Sequence, residues 1–146
     1  MPLEAARPLT PARPTTRPIV VWTGRGLSAL PIAMFLFSAA LKLSGAPQVA
    51  QMFVVSLGYP AALLPRLAAL EIACVVLYAV PRTSVLGAVL LAGYAGGAMA
   101  SHVRIGESFV VPALLGLLVW AGLYLRDERL RALLPFRTST RAGAAN

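Results

Sequence analysis

The sequence predicts an all-α fold: a bundle of four transmembrane helices, both termini cytoplasmic, with a short interfacial helix between spans one and two. Three observations predict it. Of 146 residues, 58% are hydrophobic and only 12% charged, with a mean hydropathy of +0.76, whereas a soluble domain carries ~25% charged residues. Twelve of the 18 charged residues lie before Ser28 or after Leu125, which leaves an almost uncharged middle. Within that middle, four apolar windows approach the ~20 residues that cross a hydrocarbon core of ~30 Å.

The first window runs from Leu27 to Leu41, extended inward by Trp22 to Gly26, and Pro31 inside it is expected to kink it. The connection Ser44 to Ala62 contains Pro47 to Leu57, where Val49, Met52, Phe53 and Val54 oppose Gln48, Gln51 and Ser56. Its uncharged amphipathic pattern suits an interfacial helix or a re-entrant piece packed into the bundle. The second window runs from Leu63 to Val80 behind Pro60 and Pro65, and Pro81-Arg82-Thr83 turns the chain into the third, Ser84 to Ser101. The fourth, Val110 to Leu125, has Pro112 in its first turn, where a missing N–H costs little.

Residues 1–21 form an Arg/Pro-rich cytoplasmic tail, 22–135 the transmembrane domain, and 136–146 a second tail; both tails are expected to be disordered. Prolines and basic residues fill the region where a signal peptide needs an apolar run. With both termini cytoplasmic, Arg7, Arg13, Arg17, Arg25, Arg82, Arg126, Arg129, Arg131, Arg137 and Arg141 lie inside, against Lys42, Arg66 and Arg104 outside. Trp22, Tyr78, Trp120 and Tyr124 then form an aromatic belt at the cytoplasmic interface. The basic balance is explained by these ends, and no basic, aromatic-interleaved face for nucleic acid is visible. The tail either contacts anionic headgroups or serves as a topology signal.

Glu71 sits near mid-depth in the second window, where a charged carboxylate costs ~2.5–3.5 kcal/mol and must be paired, protonated or hydrated. Cys74 and Tyr78 share its helical stripe, whereas Arg66 is turned away from it. Lys42 is the better partner: it closes the first window on the face of Pro31, Phe35 and Ser38, and an antiparallel neighbour would carry that stripe past Glu71. In the third window Tyr94, Gly97, Ser101 and Arg104 share a face, with His102 beside it. Lys42, Glu71, Ser101 and His102 are therefore the candidate polar site, with Arg66, Tyr94 and Arg104 secondary.

Each has a plainer explanation. Lys42, Arg66 and Arg104 sit at span ends where basic residues snorkel to headgroups, and His102 has no second His or Cys at coordinating spacing, so no metal site is expected. Gly93 and Gly97 form a GxxxG that favours close helix packing, in the bundle or in a homodimer. A single Cys, Cys74, excludes an intrachain disulfide and thiol-pair chemistry within one chain.

Taken together, Phe37-Ser38 with Lys42-Leu43, Leu57-Gly58-Tyr59-Pro60, Leu70-Glu71, Pro81-Arg82-Thr83, Gly93 to Ala98, Ser101-His102-Val103-Arg104 and Trp120 to Asp127, continuing from Arg129 to Pro135, resemble the DoxX-like family of small bacterial four-helix membrane proteins. The resemblance covers roughly Ser28 to Pro135, with Ser101 where the family pattern has Thr. It implies a multi-pass protein of the bacterial inner membrane, with links in some relatives to quinone-coupled sulfur or oxidative-stress metabolism. Lys42, Glu71 and His102 match its pattern without a settled role.

Three functional classes follow. The first is a non-catalytic accessory with a quinone- or lipid-like site in the outer half of the bundle, serving a membrane or peripheral redox partner. No haem-ligand pair, flavin motif or thiol pair is present to carry electrons, so no catalytic residue is assigned and any quinone would bind non-covalently. The second is a proton-linked transport unit acting as an oligomer. The third is a structural or chaperone-like membrane protein whose Lys–Glu pair fixes helix register.

Overall fold

A computed structural model describes residues 18–133. Most of the first tail, with Arg7, Arg13 and Arg17, and the segment 136–146, with Arg137 and Arg141, lie outside the described residues. Those described are helical and contain no strand: α1 Pro18–Leu43, α2 Pro47–Ala50 running into a π-helical turn Gln51–Ser56, α3 Leu63–Ala79, α4 Ser84–Arg104, α5 Val110–Arg126 and α6 Glu128–Leu133.

Helix α1 starts before the expected Trp22 boundary and continues through Pro31, whose ring is buried. It ends at Gly45, where a φ of 66° lets Ala46 N–H reach back to the Leu41 carbonyl at 3.3 Å. Helix α4 ends the same way at Gly106, with φ 73° and Glu107 N–H on the His102 carbonyl at 2.9 Å. Both are C-terminal caps that need a left-handed residue. The second cap extends α4 beyond the predicted end at Ser101 and holds Glu107 beside His102. The turn between α3 and α4 is closed by Thr83, whose hydroxyl donates to the Leu77 carbonyl at 2.8 Å. At the far end, Asp127 Oδ1 accepts from Arg129 N–H at 2.9 Å and caps α6, a helix absent from the sequence expectation.

The four long helices pack in a ring, α1 against α3 and α5, and α4 against the same two. Phe35, Val75, Leu91, Val119 and Leu123 fill the centre. Three glycines sit directly against a neighbouring backbone: Gly24 lies on Leu125 and Arg126, Gly122 on Ser28, and Gly87 on Tyr78. By contrast, an added Cβ at Gly93 or Gly97 would meet nothing within 4 Å. The close packing expected of that GxxxG within the chain therefore occurs elsewhere.

Polarity runs opposite to that of a soluble domain. Ser28, Lys42, Glu71 and Ser84 are buried, while Ile19, Phe37, Val55, Val111 and Leu117 are exposed, Leu117 at 68%. Helices α1 and α4 are long and apolar enough to cross a membrane, and only 28% of each crossing window is buried. An apolar exterior of this extent needs an apolar solvent, as in a membrane protein.

Tyr78 departs from the belt predicted for it. It is fully buried, its hydroxyl donating to the Val119 carbonyl at 2.8 Å and lying 3.0 Å from Ser28 Oγ, and so ties α3 to α5 and α1. Arg126 completes the clasp, with Nη2 2.6 Å from the Tyr78 carbonyl and its guanidinium 4.5 Å from the ring centroid. Trp22 is exposed, and Trp120 and Tyr124 are half-buried against the core. Tyr78→Phe is expected to cost about 1 kcal/mol, the scale of an interhelical hydrogen bond in a membrane. Reversible unfolding in lipid particles measures it; no change would show that Ser28 and Val119 are satisfied without it.

Candidate functional site

Lys42 closes the buried stripe of α1, and Glu71 stands in the middle of α3. Their side chains meet: Nζ lies 2.8 Å from Oε2, with the lysine 5% and the glutamate 1% exposed. Lys42 also donates to Ser38 Oγ, one turn earlier on α1. Tyr94 of α4 donates its hydroxyl to Glu71 Oε2 at 3.3 Å. Three helices thus converge on one carboxylate oxygen. The other oxygen, Oε1, is buried and has no hydrogen-bond partner.

Aromatic rings surround the ammonium. Phe53 in the π-helical turn and Tyr94 place their ring centroids 5.7 and 5.9 Å from Nζ, within cation–π range. Phe35 meets Tyr94 edge to face at 6.0 Å, which fixes the phenol that serves the carboxylate. The connection after α1 is therefore part of the site.

These groups line a cavity of about 530 Å³. Ser38, Lys42, Glu71, Tyr94, Ser101 and His102 supply its polar lining; apolar side chains such as Met34, Phe37, Met52, Leu63, Leu67 and Leu115 supply the rest. Val49, Met52, Phe53, Leu57 and Tyr59 bring the connection between α1 and α3 over the cavity, while Val54 and Val55 remain exposed.

All four candidate residues line this cavity, in different ways. Lys42 and Glu71 are bonded to each other. Ser101 donates to the carbonyl of Gly97 at 3.0 Å, and His102 Nδ1 lies 3.1 Å from Glu107 Oε2, so neither touches the ion pair. Of the secondary residues, Tyr94 joins the ion pair, whereas Arg66 and Arg104 are exposed and outside the lining. The sequence puts Ser38 on the Lys42 face, one helical turn before it, and Phe53 on the apolar side of an amphipathic segment, and neither position by itself marks a site residue. Among the described residues, no group of three or more His, Cys, Asp or Glu is gathered to hold a metal.

Such an arrangement can grip a polar head by hydrogen bonds while the rest of a molecule lies against apolar walls. No curated protein and no solved structure matches the chain. Residues 26–122 match the DoxX-like family, a stretch that takes in Lys42, Glu71, Tyr94 and the cavity they share. The chain belongs to the DoxX-like family.

Proposed function

We propose that this protein is a non-catalytic accessory of membrane redox metabolism that binds a quinone- or lipid-like molecule non-covalently in the outer half of the membrane. The observation that carries the proposal is the cavity of about 530 Å³, apolar over most of its lining and lined also by a buried ion pair. A molecule with a small polar head and an apolar body fits both parts. Electron-carrying groups would come from a partner protein.

The accompanying topology is a four-span bundle in the bacterial inner membrane with both termini cytoplasmic. Helices α3 and α5, 17 residues each, reach the lower end of the spanning range. Arg25, Arg82, Arg126, Arg129 and Arg131 then lie at the cytoplasmic side, and Lys42 at the outer side.

Mass spectrometry of the protein purified in native lipid particles tests the binding. A co-purifying quinone or discrete lipid is expected from wild type and is expected to be lost from Gly97→Leu. Gly97 lines the cavity and an added Cβ there meets nothing within 4 Å, so the larger side chain occupies ligand space without breaking the fold. A wild-type protein that arrives empty and binds no added quinone or lipid would sink the proposal.

A further inference from the structure

The Lys42–Glu71 pair leaves one donor and one acceptor unmet. From this we infer that the cavity selects a hydroxyl-headed amphiphile, an alcohol or a phenol, over carbonyl- or ether-headed molecules of the same shape. The inference rests on the binding function proposed above and narrows its ligand, a quinone being held in its reduced, hydroxyl-bearing quinol form.

An ammonium has three donors. Ser38 Oγ and Glu71 Oε2 take two of them, leaving one N–H beside the aromatic rings that flank Nζ. On the carboxylate, Oε2 accepts from both Lys42 and Tyr94 while Oε1 accepts from nothing. Glu71 lines the cavity, so a small shift of its carboxylate lets a donor held there meet Oε1 while Oε2 keeps its bonds to Lys42 and Tyr94.

Charge narrows the choice of head. An anion would approach a lysine already neutralised and would meet a carboxylate; a cation would meet the ammonium. The complementary head is neutral and both donates and accepts. A hydroxyl does both through one atom, giving its proton to Glu71 and taking an N–H from Lys42. Water can satisfy the same two groups, and a hydroxyl takes over both of its bonds. A carbonyl or an ether takes only the lysine N–H and leaves the buried oxygen without a donor, a loss worth roughly tenfold or more in affinity.

Two matched pairs of probes test this with the full chain in lipid nanodiscs: farnesol against farnesyl methyl ether, and para-nonylphenol against para-nonylanisole. Dissociation constants from native mass spectrometry are expected to favour the hydroxyl member by about tenfold or more. The better of the two hydroxyl probes distinguishes an isoprenoid alcohol from a phenol. Glu71→Gln, which places an amide donor where the unmet acceptor stood, is expected to abolish or reverse the preference. Equal affinities within each pair overturn the inference while leaving the binding function standing, and so does a preference that survives Glu71→Gln unchanged. No binding of any probe to wild type removes the binding function and the inference with it.

Discussion

Lys42→Met with Glu71 left in place is expected to destabilise the protein by about 3–5 kcal/mol, the range for stranding one member of a buried ion pair. The glutamate is 1% exposed, so water cannot replace the lysine without opening the packing between α1 and α3. Tyr94 alone would then serve the carboxylate, with Oε1 still empty. Glu71→Leu should be costly for the converse reason, since the ammonium keeps a single hydrogen bond, to Ser38, and the flanking rings of Phe53 and Tyr94. The double variant Lys42→Met, Glu71→Leu is expected to recover most of the loss, because an apolar pair of similar volume needs no compensation. Unfolding of the three variants in lipid particles forms a double-mutant cycle whose interaction term isolates the pair. Ligand retention separates the roles: a refolded double variant that no longer carries the amphiphile assigns the pair to binding. One that is stable and still loaded would make it a register device only.

The pair was legible because the spans contain so few charges. Pro31, Phe35, Ser38 and Lys42 fall on one stripe of α1, Glu71, Cys74 and Tyr78 on one of α3, and antiparallel helices bring the stripes together. Tyr78 carries two signals that disagree: its position near a span end suggests the interfacial belt, while its place on the Glu71 stripe turns it inward, where the structure has it. The bond between Tyr94 and Glu71 depends on the placement of α4, which intrahelical spacing does not specify. Phe53 was harder still, because the π-helical turn that sets it over Lys42 has no compositional signature and follows from packing of the connection against the long helices. Helix α6 carried a readable signal in Asp127, an N-cap residue followed by helix formers.

Glycine positions separate a motif from the packing it is meant to indicate, and they carry the second large prediction. Gly87→Ala is expected to cost about 3 kcal/mol or more, the upper end of overpacking, because the new Cβ would run into the backbone of Tyr78. Backbone cannot swing aside as a side-chain tip can, so α4 would have to move away from α3 at the tight turn through Pro81. Gly122→Ala should behave similarly, since its Cβ would sit 2.8 Å from the amide nitrogen of Ser28 and disturb the hydroxyl that lies against Tyr78. Gly93→Ala and Gly97→Ala, in the GxxxG that the sequence displays most openly, are expected to leave the fold intact or stabilise it by up to about 1 kcal/mol. Each replaces the weakest common helix former where nothing blocks a methyl group. The ordering has a cause that motif counting misses: close approach is set by which face of α4 meets α3, and Gly87 lies on that face while Gly93 does not. Thermal unfolding of the four variants in the same lipid decides the matter. Destabilisation by Gly93→Ala comparable to that by Gly87→Ala, appearing only at protein densities where chains associate, would instead place α4 in a homodimer contact.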